Sequence, residues 1–171
     1  MSEVIDMCRA IQNNSLHFTL NPQNCWESFN ADFNDIVNKD EWKEIKFLNE
    51  SATEINESIN TVPNDKGGIY VFILKPDIVP CVHKYILYVG RVKCTKTQNL
   101  RKRFREYVYD DRSAILLMRE TWGKDLYIRY LPLTDNTTIC ALEKELIRTI
   151  IPPCNSEYPG TLNKAMNAAF K

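Results

Sequence analysis

Gly68-Ile69-Tyr70-Val71-Phe72-Ile73-Leu74 and Tyr85-Ile86-Leu87-Tyr88-Val89-Gly90-Arg91-Val92 are the two stretches on which the reading of this chain turns. Both are short apolar runs rich in β-branched and aromatic residues, the composition of half- or fully buried strands. The loop between them carries Pro76, Asp77 and Pro80 and is short enough to make the strands antiparallel neighbours, which brings Tyr70 near Tyr88. Gly68 and Gly90, at the strand ends, allow tight backbone approach at the hairpin and leave room beside it, although each is read equally well as an ordinary turn residue.

Working outward, Asn99-Leu100-Arg101-Lys102-Arg103-Phe104-Arg105-Glu106-Tyr107 repeats its apolar positions at helical spacing, with Asn99 placed to cap the start. A second helix is expected over Ser113 to Trp122. Leu126, Ile128 and Tyr130 alternate with Tyr127, Arg129 and Leu131 as a third strand. Thr137 to Ile151 forms the last long helix, stopped by Pro152 and Pro153. The order β-β-α-α-β-α predicts an α/β fold, a small three-stranded antiparallel sheet flanked by helices. Before it, a helix is expected near residues 2 to 12 and another through Trp42, Ile45 and Leu48, and the turn signal Pro63-Asn64-Asp65 marks a boundary. The chain thus divides into an acidic, mainly helical N-terminal extension over 1–66, a domain over 67–160 and a C-terminal tail over 161–171.

A length of 171 residues suits one domain with an extension. No apolar stretch approaches the ~20 residues that cross a bilayer, and the acid-bearing N-terminus does not read as a signal peptide, so a cytoplasmic protein without a membrane partner is expected. The six cysteines form no C-x-x-C pair, which argues against a zinc ribbon. Two histidines, His17 and His83, are too few for most histidine-based hydrolytic motifs. The net charge of zero hides a split: residues 1–67 hold five Lys/Arg against twelve Asp/Glu. Between Arg91 and Arg105, Lys93, Lys96, Arg101, Lys102 and Arg103 complete a run of seven cations with no acid, a field suited to a polyanion or simply a solvated basic face.

Wound at ~100° per residue, the last helix gathers Ile139, Leu142, Leu146, Ile147 and Ile150 on one side with Glu143 in their midst, while Glu145 points away. A carboxylate on a core-facing stripe requires a cation, hydrogen bonds or a metal, and an arginine ion pair would satisfy it without any catalytic role. On the basic helix Arg103 borders the apolar stripe, one turn before Tyr107, and Arg101, Lys102 and Arg105 point outward.

Taken together, these motifs resemble the GIY-YIG nuclease superfamily, and within it the nuclease domain of the UvrC repair proteins, from about Val62 to Asn155. The tripeptides are Gly68-Ile69-Tyr70 and Tyr88-Val89-Gly90, with Arg91 following the second. The family's N-L-x-x-R-x-x-x-Y helix is matched from Asn99 to Tyr107. Its L-E-x-x-L-I followed by Pro and Asn is matched by Leu142-Glu143-Lys144-Glu145-Leu146-Ile147 and Pro153-Cys154-Asn155. The segment from Val92 to Gln98 is a few residues longer than in UvrC-like domains, and the region before the first tripeptide has no recognised counterpart.

The resemblance implies a divalent-metal-dependent DNA endonuclease. Glu143 would bind one Mg²⁺ or Mn²⁺, Arg103 would contact phosphate, and Tyr70 or Tyr88 would be the general base, with Arg91 and Tyr107 tuning them. Lys93, Lys96, Arg101, Lys102 and Arg105 would meet DNA, RNA not being excluded. Asn155 would pin the end of the glutamate helix, and Gly68 and Gly90 would support the hairpin. Two other readings accompany this one: a noncatalytic nucleic-acid-binding module, and an N-terminal extension that covers the basic surface, joins a protein partner or mediates dimerisation.

Overall fold

The computed structural model describes residues 2–20, 23–80, 82–160 and 162. The expected C-terminal tail therefore lies outside the described residues apart from Leu162. In chain order the elements are α1 (Ser2–Asn13), α2 (Gln23–Glu27), α3 (Asn34–Val37), β1 (Lys43–Lys46), β2 (Gly67–Leu74), β3 (Tyr85–Val92), α4 (Leu100–Glu106), α5 (Ser113–Trp122), β4 (Leu126–Leu133) and α6 (Asn136–Ile150).

The sheet has four strands, not three, in the order β1-β4-β2-β3 with every pairing antiparallel. The added strand comes from the stretch expected to be helical. Trp42, Ile45 and Leu48 recur every three residues, which suits a helix, but Glu44-Ile45-Lys46-Phe47 also alternates polar with apolar, which suits a strand. Pairing decides between the two, because the outer edge of β4 would otherwise leave a row of backbone donors and acceptors unmatched. With β1 in place, Ile45 lies opposite Ile128 and both are buried.

Each face of the sheet has its own core. On one, Tyr70, Phe72, Ile128 and Tyr130 pack against Leu100, Phe104 and Tyr107 of the basic helix and its final turn, and against Ile115 and Met118 of α5. On the other, Val71, Val89 and Ile147 form one cluster, and Ile69, Ile139 and Leu142 another, so α6 covers this side. Phe29, Phe33, Ile36 and Trp42 pack beside α6 and extend this second layer. Phe47, Leu48, Ile59 and Val62 enter the first core. The segment before the hairpin is thus built into both layers.

β2 runs through the centre and is buried from Gly67 to Ile73. At its start Gly68 has φ +152°, and a Cβ there would lie 2.1 Å from the Leu131 carbonyl oxygen, so close approach to β4 requires glycine. A register shift between Phe72 and Ile73 marks a bulge in the β2–β3 pair. α6 ends at Ile151, whose left-handed backbone (φ 51°) turns the chain into Pro152 and Pro153. Among the described residues, no helix is long and apolar enough to cross a membrane.

Phe47 stacks edge-on against Phe72 at 5.2 Å between ring centres and is fully buried. Phe47→Ala should therefore lower the unfolding free energy by about 3–5 kcal/mol in urea. An unchanged midpoint would show that the segment is dispensable to the fold.

Candidate functional site

A cleft of about 580 Å³ opens beside the outer edge of β3, and Tyr88, Arg91, Arg112, Glu143 and Asn155 line it. These residues come from β3, the entry to α5, α6 and the loop after α6. α6 is held over β3 by two side-chain amides. The Val89 N–H donates to Asn155 Oδ1 at 2.9 Å, and Asn155 Nδ2 donates to the Val89 carbonyl at 2.9 Å. Asn136, in the first turn of α6, repeats the contact on Cys94, accepting from its N–H at 2.9 Å and donating to its carbonyl at 3.2 Å. Asn155 thus grips the edge strand, where the sequence reading expected it to pin the helix end. Cys154 adds a backbone bond to Leu87 at 2.9 Å.

Between these two clasps, Arg91 Nε donates to Glu143 Oε2 at 2.5 Å. The core-facing carboxylate therefore has the cation its position demanded. Its side chain is 18% exposed, and burial raises its pKa above the ordinary carboxylate value while Arg91 opposes the shift. Glu143 Oε1 makes no hydrogen bond among the described residues, which leaves one hard oxygen available to a cation at the cleft. No three His, Cys, Asp or Glu side chains converge as a ready-made metal cage among the described residues. Glu145, on the side of α6 away from the apolar stripe, accepts from the Asn30 N–H at 2.8 Å and pairs with Arg148, tying α6 to the N-terminal segment.

The tyrosines lie on the other face of the sheet. Tyr70 is 1% exposed and its hydroxyl sits 2.6 Å from that of Tyr107. Arg103 stacks over the Tyr107 ring at 4.5 Å, donates to the Tyr107 hydroxyl at 3.4 Å and pairs with Glu106 at 3.2 Å. Tyr88 lies 6.3 Å from Tyr107, ring centre to ring centre, and is the tyrosine of the three that reaches the cleft. Gly90 makes this packing possible. It faces Tyr70 across the strand pair, and a Cβ on it would lie 2.5 Å from the Tyr70 hydroxyl oxygen. The room Gly90 leaves is filled by that ring.

Burial raises the pKa of Tyr70 well above the ordinary phenol value, with the neighbouring Tyr107 and Tyr88 adding to the shift and Arg103 opposing it. Tyr88 is raised for the same first reason, and Arg112 works against the rise. Desolvation outweighs the neighbouring cations, so both hydroxyls stay protonated at neutral pH.

The basic run divides by use. Arg101 turns back onto the Val62 and Asn60 carbonyls at 2.7 and 2.9 Å, and Arg105 reaches Asn60 Oδ1 at 3.1 Å. Lys102 bonds the Thr97 carbonyl at 2.8 Å. Lys93 and Lys96 stand exposed. Asn99 caps α4 as expected, accepting from the Lys102 N–H at 2.9 Å. Arg112, Lys144 and Glu157 also line the cleft and were not singled out from sequence. Arg112 follows two aspartates and Glu157 stands apart from any motif, so neither carries a local pattern.

Gly90→Ala should displace the Tyr70 ring and destabilise the fold by roughly 1–3 kcal/mol, read from urea unfolding. The raised tyrosine pKa values also fix a pH dependence. Unfolded tyrosines ionise near pH ~10 while the folded ones stay protonated, so the stabilisation is whole below that pH and is lost as pH rises towards the folded values, by about 1.4 kcal/mol per unit for each tyrosine. Tyr88→Phe should flatten this alkaline slope, and an identical slope would remove Tyr88 as a contributor. No protein-family model, curated protein or solved structure was found to match the chain.

Proposed function

We propose that the chain is a divalent-metal-dependent endonuclease that hydrolyses DNA phosphodiester bonds through a GIY-YIG type site, closest to the UvrC kind, and that it works in the cytoplasm. The observation that carries this reading is the meeting of Tyr88, Arg91 and Glu143, residues from two distant stretches of sequence, at one cleft beside β3. With Arg103 and Tyr107 behind them, they supply what phosphodiester hydrolysis uses: a polarised water, cationic support for the phosphate oxygens and an oxygen ligand.

Glu143 would hold the ion, since a carboxylate oxygen at the cleft suits Mg²⁺ or Mn²⁺ with water and phosphate oxygens completing the shell. When bound, the ion supplies Lewis-acid stabilisation of the charge that develops at the reacting phosphate. Arg91 neutralises and orients Glu143. Tyr88, which lines the cleft, would hold the attacking water; Tyr70, sealed in the core, acts through Tyr107 and Arg103. The water oxygen bonds to phosphorus as a P–O ester bond breaks, giving a phosphate monoester and a free hydroxyl. Only ionised Tyr88 can take the water proton, which would pass on to the leaving oxygen; because burial raises the Tyr88 pKa, rising pH enlarges the ionised fraction, so cleavage should accelerate with pH up to the alkaline unfolding limit.

One observation favours a second reading, a noncatalytic nucleic-acid-binding module: the Arg91–Glu143 ion pair satisfies the carboxylate with no metal. Incubation with single-stranded, double-stranded and branched DNA and with RNA, in Mg²⁺, Mn²⁺ or EDTA, separates the two. The parent should cut in metal alone, and Glu143→Gln, checked for an unchanged fold by circular dichroism, should lose at least about 10²-fold in rate. Equal cutting by both proteins would sink the metal role. Binding to every substrate with no cutting would make the module the better account.

A further inference from the structure

Arg112 is the cleft cation that belongs to none of the sequence motifs. Its guanidinium forms a two-point pair with Asp110, Nε to Oδ1 at 2.9 Å and Nη2 to Oδ2 at 2.7 Å, and the Arg112 N–H donates to the same carboxylate at 3.1 Å. Asp110 is the sheltered partner at 13% exposed, and Arg112 the open one at 51%. An exposed pair of this kind contributes little to stability, yet the two-point geometry fixes the plane of the guanidinium. The guanidinium also lies beside the Tyr88 hydroxyl, and with half of the side chain exposed its remaining N–H donors are open to the cleft.

The surroundings suit an anion. Arg112 lies 5.8 Å from the centre of the Tyr107 ring, on which Arg103 also stacks at 4.5 Å, so two guanidiniums flank the tyrosine cluster. Arg112 shares the cleft with Tyr88, Arg91 and Lys144, against the carboxylates of Glu143 and Glu157. Arg91 is bound to Glu143, whereas Arg112, held by Asp110 and beside Tyr88, is the more exposed of the two.

We propose that Arg112 is a second phosphate-contacting arginine of the cleft, oriented by Asp110 and presenting its outward donor fork to a nonbridging oxygen of a nucleic-acid backbone. The inference rests on the nucleic-acid reading of this cleft and deepens it. Arg112 and Arg103 then approach the tyrosine cluster together, and the substrate backbone runs along β3 and the start of α5. Contact with a phosphate is sequence-independent, so Arg112 contributes affinity and placement rather than choice of target.

The test is equilibrium binding of an end-labelled DNA duplex and a labelled single strand, in EDTA, across a salt series, with single-turnover cleavage in Mg²⁺ measured on the same proteins. Arg112→Gln should weaken binding of all sequences and reduce the slope of log affinity against log salt by about 0.9 for duplex or about 0.7 for single strands, the value of one phosphate contact. Arg112→Lys should retain that slope while losing part of the cleavage rate, because it keeps the charge and loses the fork. If the parent binds and cuts while Arg112→Gln matches it in slope and rate, the inference falls and the nuclease reading stands. If Arg112→Lys loses the slope as fully as Arg112→Gln, the side chain acts structurally and the inference is again overturned. A parent that binds neither DNA overturns both readings together.

Discussion

The carboxamides of Asn136 and Asn155 each exchange a donor and an acceptor with the backbone of one extended segment, at Cys94 and at Val89. Everything at the cleft depends on this double clasp. β3 is an outer strand of the sheet, and its free edge offers polar groups that side-chain amides can match atom for atom. Fixing α6 above and below Arg91 leaves Glu143 little freedom to swing away, so the ion pair and the cleft wall are consequences of the same backbone contacts.

A second constraint is the competition between burial and charge among the tyrosines. Tyr70 is packed so closely over Gly90 that its hydroxyl finds Tyr107 instead of water. The arginines flanking Tyr107 pull towards ionisation, and removal from solvent pulls harder in the other direction. The result is a hydrogen-bonded cluster that orients Tyr88 at the cleft while Tyr70 remains inside. The two tyrosines, indistinguishable as members of a hairpin, acquire different reach because one lies on the central strand and the other on the edge strand.

The hairpin, the capped basic helix and the proline-stopped α6 were legible because local signals agreed with tertiary demand: β-branched runs in β2 and β3, an asparagine cap at Asn99, and an apolar stripe on α6. β1 was misread because only four residues form it and their preference is set by an edge of β4 that lies more than 80 positions away. The partner of Glu145 was illegible for a related reason. Helix winding separates sheet-facing from opposite positions, but it does not show that the N-terminal segment returns to cover the far side of α6. Arg112 had no periodic or compositional signal, since its significance arises from the fold bringing α5 beside β3.

The Asn155 clasp also bears on how the protein behaves in company. An uncovered outer strand is a template on which another chain can add a strand, and Asn155 occupies both backbone groups of Val89 at the middle of β3. Aspartate at that position would keep the acceptor for the Val89 N–H but would turn a carboxylate towards the carbonyl that now receives a hydrogen bond. Loss of a single amide by chemical ageing would thus convert a closed sheet margin into a sticky one, linking the shelf life of the molecule to the same side chain that holds its cleft in shape.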